Sequence, residues 1–389
     1  MSWSQIIGQQ RIKSVLQRVI TDGRIAHAYM FWGPQGIGKD ALALEFAKAI
    51  NCLSPIEQDS GYAACDKCDS CRRARSLQHP NIKFITALPA GKGEDRKSRS
   101  PLAKLSDEQL KQVQDQLAQK AANPYHRIAI PNANAIRIAA IREIKQGVAL
   151  SGTREGRRFY IVSNAETMNQ EAANAFLKTL EEPSPDVTIV LTTSRRDQML
   201  QTIRSRCQDV RCAVLSDDEI AVALRERATE PISSENARLI ARLANGSFTR
   251  ALSLRGDDFS EIRGEVVDFF RAMLKRRNYV LDLYAQIEHI AADKDRKRVE
   301  QMLTLLLLWL RDAFALSASG NTDAVVNIDQ VAPMQRFVEN FPGADLLAAS
   351  MKVEEALRYL KQNVQIQLTL TRLSLEMRSI FIRKVSRAA

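Results

Sequence analysis

The sequence predicts an α/β domain built on a parallel sheet, followed by a small helical segment and a separate all-α bundle. Three observations carry this prediction. Short apolar runs alternate with helical patterns over residues 1–212. A glycine-rich loop lies between one of those runs and a helix. Strand signals then fade after residue 213.

Ala28–Trp32, Phe159–Val162 and Val187–Thr192 are short, apolar or β-branched, and bounded by turn residues or charge, which predicts buried strands. Gln170–Glu182 puts Ala173, Phe176, Leu177 and Leu180 on one helical face, and Pro183 ends that helix. Such alternation implies an α/β layer with a parallel sheet. Residues 86–128 read as an insertion on this domain. Within it, Gly91–Pro101 is charged and rich in Gly, Lys and Arg, the composition of a loop or a disordered stretch. Ser106 to Gln109 then forms a capping box for a polar helix running to about Ala122. A second capping box, Ser216-Asp-Asp-Glu219, opens a helix after the sheet region. A further helix spans Ser234 to Asn245, with Gly246 as its C-terminal stop. From about 257 to 386 the pattern is helical almost throughout. The expected division is 1–212, 213–256 and 257–389. There is no internal repeat and no sustained heptad run.

A chain of 389 residues exceeds one compact core, so two or three domains are expected. The net charge of +11 favours a polyanionic partner such as DNA, RNA or an acidic protein surface, without choosing among them. Basic runs at Lys275–Arg277 and Lys294–Arg298 are either DNA-facing or, as is more usual, solvated helix faces. The N-terminus lacks the basic start and apolar stretch of a secretory signal. The apolar run Met302–Leu310, bracketed by Glu300 and Arg311, is far short of the roughly 20 residues that span a bilayer. A cytosolic protein with no membrane partner is expected.

Gly33-Pro-Gln-Gly36-Ile-Gly38-Lys39 directly follows the first strand and opens an apolar helix. This is the G-x-x-x-x-G-K phosphate loop in its required setting. The glycines let backbone N–H groups wrap a phosphate, Lys39 adds charge, and the helix N-terminus adds its dipole. The position after the lysine normally carries Ser or Thr, whose hydroxyl holds Mg²⁺. Here it is Asp40. The strand Arg157–Val162 normally ends in Asp-Glu; here it ends in Ser163-Asn164, with Glu166 two positions late. Two catalytic parts are missing together. Binding of ATP or ADP stays open, and hydrolysis is not expected.

Of the six cysteines, Cys52, Cys65, Cys68 and Cys71 fall within twenty residues. Two successive C-x2-C steps bring sulfurs to one side of a tight loop, as tetrahedral Zn²⁺ requires. Four thiolates with no open position imply a structural zinc that pins this excursion to the core. Cys207 and Cys212 read instead as small buried apolar residues.

With these residues in hand, the chain resembles the clamp-loader family of the AAA+ class. The likeness covers residues 4–255 well and the last third only through helical character. It rests on several segments besides the phosphate loop and the zinc knuckle. They are Ile6-Ile-Gly-Gln-Gln10, His27-Ala-Tyr-Met-Phe-Trp-Gly33, Glu171 through Pro183, and Leu200-Gln-Thr-Ile-Arg-Ser205-Arg206-Cys207-Gln208. The resemblance implies that the first of these helps frame an adenine pocket. It implies that Arg206 is an arginine finger reaching the γ-phosphate of ATP on a neighbouring subunit. The alternative is an ordinary surface salt-bridge arginine. Thr192 or Thr193 matches the position that senses the γ-phosphate, and Thr193 is taken as the candidate. In Gly246-Ser-Phe-Thr-Arg250 the lid arginine of motor subunits is replaced by Thr249, with Arg250 one place later.

The resemblance therefore implies a non-hydrolysing ring subunit that offers a finger in trans during DNA replication. Its implied partners are the gamma/tau motor and delta subunits, and through the complex the sliding clamp and primed DNA, in a hetero-oligomer held by the collar 257–389. The runner-up is an ATP-hydrolysing gamma/tau motor, against which Asp40 and the missing Asp-Glu speak. A zinc-bearing nucleic-acid module unrelated to clamp loading is the second alternative, against which the phosphate-loop context and the Ser-Arg-Cys segment speak. The 86–128 insertion departs from the family core, and the sequence assigns it no role.

Overall fold

In the computed structural model, residues 2–58, 60–91, 101–149, 156–228, 231–255, 258–322, 325–327 and 330–382 are described. The N-terminal elements run α1 (Gln10–Thr21), β1 (Ala28–Trp32), α2 (Lys39–Ile50), β2 (Ile56–Gln58), β3 (Gly61–Ala63), α3 (Asp69–Arg75), β4 (Ile82–Ile85) and α4 (Asp107–Ala122). Next come α5 (Ile138–Ala149), β5 (Arg158–Val162), α6 (Gln170–Glu181), β6 (Val187–Thr193), α7 (Gln201–Arg204), β7 (Gln208–Arg211) and α8 (Asp217–Glu226). Helices alone follow among the described residues: α9 (Ser234–Ala244), α10 (Phe248–Ser253), α11 (Asp258–Leu274), α12 (Tyr279–Ala291), α13 (Arg296–Ser319), α14 (Val331–Asn340), α15 (Leu346–Lys361) and α16 (Ile366–Phe381). They form two compact units, Met1–Ile232 with Ala244–Ala251, and Ser233–Leu243 with Leu252–Ala389.

The first unit is built on a five-stranded sheet in the order β4-β5-β6-β1-β7, and every pairing in it is parallel. Central strands of such a sheet are covered on both faces, so they read as continuous apolar runs rather than alternating ones. β6 is buried along its whole length. The period of two sends Ala28 and Met30 to one face, into a core with Ile141, Ile144, Phe176 and Leu180 from α5 and α6. Tyr29 and Phe31 face the other way, where Tyr29 meets Phe46 of α2 edge-on at 5.3 Å and Phe46 meets Phe159 at 5.8 Å. Burying one such aromatic ring contributes about 1.5–3 kcal/mol.

The edge strands β4 and β7 and the β2–β3 hairpin extend the expected set of three strands. β7, Gln-Asp-Val-Arg, is mostly exposed, so its composition carries no apolar signature. Both expected capping boxes form: the Ser106 hydroxyl accepts from the Gln109 N–H and the Ser216 hydroxyl from the Glu219 N–H. Of the Gly91–Pro101 loop, residues 92–100 lie outside the described residues. The flanking parts do not hang free. Leu105, Val113 and Ile130 form a small core of their own, joined by Leu88, Leu110, Leu117 and Ile128.

The second unit is a helical bundle. Phe270, Trp309, Phe337 and Phe381 make its aromatic centre, with ring centroids 5.0–5.9 Å apart between Phe270 and the other three. By length and composition α13 is apolar enough to cross a membrane, but half of the qualifying stretch is buried within the protein. Asp312 on that helix is wholly buried and accepts hydrogen bonds from the Val326 and Asn327 N–H groups and from the Asn327 amide. A carboxylate satisfied in this way by its own chain marks a core helix. The expected basic runs are partly used within the bundle. Arg296 donates to the carbonyls of Leu360 and Val364, and Arg298 pairs with Glu265 at 2.6 Å.

Candidate functional site

β1 delivers the chain to Gly33, and the loop turns through Gly33, Gly36 and Gly38 into α2. Gly36 and Gly38 have φ of 82° and 95°, values that L side chains rarely adopt. Space as well as conformation demands glycine here. A Cβ on Gly36 would collide with the Ser247 hydroxyl, and one on Gly38 would lie 2.6 Å from Tyr125 Cε1. Lys39 is only 8% exposed and turns back onto its own loop, donating to the Gly33 carbonyl at 2.9 Å and the Pro34 carbonyl at 2.7 Å. Burial pulls its pKa down, opposed by the charge of Asp40.

Asp40 lies at the centre of a polar cluster. Its Oδ1 accepts from Thr192 Oγ1 at 2.6 Å. Its Oδ2 accepts from Ser163 Oγ at 2.9 Å and from Lys120 Nζ at 2.8 Å. Burial alone would raise its pKa, but the Lys120 charge and these three hydrogen bonds outweigh burial and hold it below the usual carboxylate range. Ser163 occupies the strand end where Asp-Glu was missing, so both departures from the phosphate-loop pattern meet in one cluster. Of the two threonines, Thr192 faces Asp40, while the Thr193 hydroxyl accepts from the Arg195 N–H. Adjacent strand side chains point to opposite faces, so only one of the two hydroxyls reaches Asp40, while the Thr193 carbonyl accepts from the Gly33 N–H. Glu166 is engaged elsewhere, accepting from the N–H and hydroxyl of Ser194.

Sequence reasoning missed Lys120 and Tyr125. Lys120 sits 80 positions from Asp40, at the end of α4, and also donates to the His126 carbonyl. Tyr125 is 3% exposed, and its hydroxyl accepts from the Ile7 N–H at 2.8 Å. Its ring meets Phe248 edge-on at 5.0 Å. Thr249 joins both partners, its N–H donating to the Gly36 carbonyl and its hydroxyl to the Tyr125 carbonyl. No local signal marks either residue, since α4 shows only the pattern of a polar surface helix.

The four-cysteine cluster lies between the end of α2 and α3. Its sulfurs all fall within 4.8 Å of one another, with Cys52 and Cys68 at 3.9 Å and Cys65 and Cys71 at 4.0 Å. Tetrahedral ligation at a Zn–S distance of about 2.3 Å places sulfurs about 3.8 Å apart, so the residues fit the ion. Backbone N–H groups of Cys65, Cys68 and Cys71 point at the sulfurs of Cys52, Cys65 and Cys68. Backbone donors of Lys67 and Cys68 bring the Cys65 thiol down to about 6, while burial raises those of Cys52 and Cys71. Cys207 and Cys212 differ: burial pushes each up to about 12.

Arg206 follows α7 on the surface of the first unit. Its guanidinium pairs with Glu181 at 2.9 Å and donates to the Thr202 carbonyl at 2.9 Å. The side chain remains 36% exposed.

A parallel sheet with a phosphate loop after β1, followed by helices alone, defines a P-loop α/β protein with a helical C-terminal part. The chain belongs to the DNA polymerase III delta subunit family: it matches the family described as "DNA polymerase III, delta subunit" over residues 8–216. Residues 257–378 match "DNA polymerase III, delta subunit, C terminal". DNA polymerase III subunit delta' of Bacillus subtilis is 26% identical over 368 residues, covering 94% of this chain and 95% of that one. DNA polymerase III subunit tau of Escherichia coli is 26% identical over 268 residues, covering 68% of this chain and 34% of that one. A DNA polymerase III gamma subunit-related protein from Thermotoga maritima aligns in structure at 18% identity and a TM-score of 0.42, covering 94% and 98% of the two chains. The chain is thus a clamp-loader subunit of DNA polymerase III.

Proposed function

We propose that this chain is a ring subunit that does not hydrolyse ATP itself and offers Arg206 to the nucleotide held by a neighbouring motor subunit. The observation that carries the reading is the engagement of Asp40 by Lys120, Ser163 and Thr192, where a hydrolytic site would hold magnesium. No carboxylate from the β5 end joins this cluster, because Ser163 stands there. Arg206 is half-exposed and tethered by Glu181 and Thr202, which limits the rotamers it must give up on docking. A guanidinium placed against a γ-phosphate spreads the charge that develops as the phosphoryl group leaves. In this reading residues 213–256 form a lid, and 257–389 form the collar that holds gamma/tau and delta neighbours. The sliding clamp and primed DNA are reached through the assembled ring in the cytoplasm. One structural zinc on Cys52, Cys65, Cys68 and Cys71 fixes the chain between α2 and α3.

The test is DNA-stimulated ATP turnover by the reconstituted ring. Arg206→Ala in this chain is expected to remove about one site's share of turnover while the ring still assembles, because a finger contributes about 10³–10⁵ in rate at its own site. Lys39→Ala is expected to leave turnover unchanged. A fall with Lys39→Ala and none with Arg206→Ala would overturn the reading in favour of a motor.

A further inference from the structure

We infer that α4 and the turn 123–128 are a built-in occupant of the phosphate-loop site, with Lys120 standing where the nucleotide's cation would be and Tyr125 covering the loop against nucleoside triphosphate. The inference rests on the non-hydrolysing reading above and deepens it.

Four observations carry it. First, the cation position is filled. A P-loop site holds its divalent cation between the residue after the loop lysine and the end of a second strand of the sheet. Here those two positions are Asp40 and Ser163, and the ammonium of Lys120 bonds the Asp40 oxygen that Ser163 also bonds. Lys120 is 3% exposed, so this is an interior cation rather than a passing surface contact. Second, the loop's outer face is covered by side chain. The Tyr125 ring lies so close to Gly38 that no Cβ fits between them. Third, the cover is fastened at both ends. The Tyr125 hydroxyl takes the Ile7 N–H, and its carbonyl takes the Thr249 hydroxyl, while Thr249 N–H holds Gly36. Fourth, the space directly over the loop is small. The cavity lined by Gly36, Lys39 and Asp40 holds about 60 Å³, and the adjoining cavity of about 500 Å³ opens past Gln35 and Asn164 toward Glu166 and Ser194, away from Lys39 and Asp40. Sites for drug-sized ligands hold about 300–1,000 Å³.

Lys39 fits the same picture. In a phosphate loop this lysine reaches toward β- and γ-phosphates. Here it donates to two carbonyls of its own loop. The site is satisfied internally, cation by Lys120 and lysine by backbone. A nucleotide would have to break the Lys120–Asp40 pair and displace Tyr125 before it could bind, which lowers its apparent affinity by the fraction of open molecules.

The test is titration of the full chain with a fluorescent N-methylanthraniloyl ATP and Mg²⁺. Wild type is expected to show no saturable binding up to about 1 mM, so its dissociation constant is weaker than about 1 mM. The triple variant Lys120→Ala/Tyr125→Ala/Asp40→Ser removes cover and cation and restores the loop hydroxyl without leaving an unpaired carboxylate. It is expected to bind at least about tenfold tighter than wild type. Saturable micromolar binding by wild type would overturn the inference, and so would a folded, zinc-loaded variant that still binds nothing. Should the variant not fold, hydrogen exchange on wild type decides the matter. Unchanged protection of Ile7 and residues 33–42 on adding Mg-ATP supports occupation, and slowed exchange there overturns it. Binding by wild type with ring turnover still insensitive to Lys39→Ala would sink this inference alone. Binding together with turnover that depends on Lys39 would sink the non-hydrolysing reading as well.

Discussion

Replacing Lys120 with Met removes the charge that Asp40 depends on while keeping most of the side-chain volume. The pair is interior, with side chains 4% and 19% exposed. Removing one partner of such a pair costs about 3–5 kcal/mol, because the other charge is left without its counter-ion. Two hydroxyl hydrogen bonds to Asp40 remain, at 2.6 and 2.9 Å from Thr192 and Ser163, which favours the lower end of that range. A loss of about 3 kcal/mol in a unit of this size lowers the melting temperature by about 6–12 °C. The double variant Lys120→Met/Asp40→Ser removes both charges and is expected to lose less than about 1.5 kcal/mol. The pH dependence carries the sign. In wild type the Asp40 pKa is depressed, so its stabilising contribution is present above the unfolded value and lost as pH falls through the folded one. Without Lys120, burial dominates and the carboxyl rises, so the deficit of Lys120→Met should shrink between pH 8 and pH 5. Urea unfolding of four proteins at both pH values, wild type, Lys120→Met, Asp40→Ser and the double variant, measures this. A single variant that costs less than about 1 kcal/mol, or single and double variants whose costs simply add, would refute the coupling.

Two further expectations concern the interior and the knuckle. Glu45 of α2 is 1% exposed, and burial pushes its carboxyl up to about 7 against the pull of Lys48 at 2.8 Å, with Asp66 bonded to the same ammonium. A raised carboxyl stabilises fully below its unfolded pKa and loses that contribution as pH rises through about 7, here about 3 kcal/mol. Unfolding midpoints should therefore fall between pH 5 and pH 8 in wild type more than in Glu45→Gln, and parallel slopes would contradict the assignment. Elemental analysis of protein purified without chelator should return one zinc per chain, lost in Cys71→Ser together with thermal stability of the first unit. Zinc-free protein of full stability would refute the metal reading.

The central strands, the glycine loop, both capping boxes and the cysteine spacing were legible because each depends on neighbours in the chain. An apolar run such as Val187–Thr193 fits a site buried on both faces, and a serine three residues before a Gln or Glu caps a helix wherever it lies. The edge strands were less legible, since β7 needs only hydrogen bonds to β1 and few apolar side chains. The choice between Thr192 and Thr193 was also hidden. Strand alternation says that one of them faces α2, and only the packed sheet says which.

The insertion shows the division most clearly. Its sequence determined a capped polar helix from Asp107 to Ala122 and nothing about its target. The folded chain brings that helix's last turn to the first turn of α2, 80 residues earlier. Asp40, read alone, is a defect in a phosphate loop, and Lys120, read alone, is one cation among 56 lysines and arginines. Their meaning is a property of the pair. Helix and strand formation are decided over a few residues, where pattern is visible. A buried charge is decided by whichever opposite charge the tertiary structure brings within about 3 Å, and sequence separation carries no record of that distance.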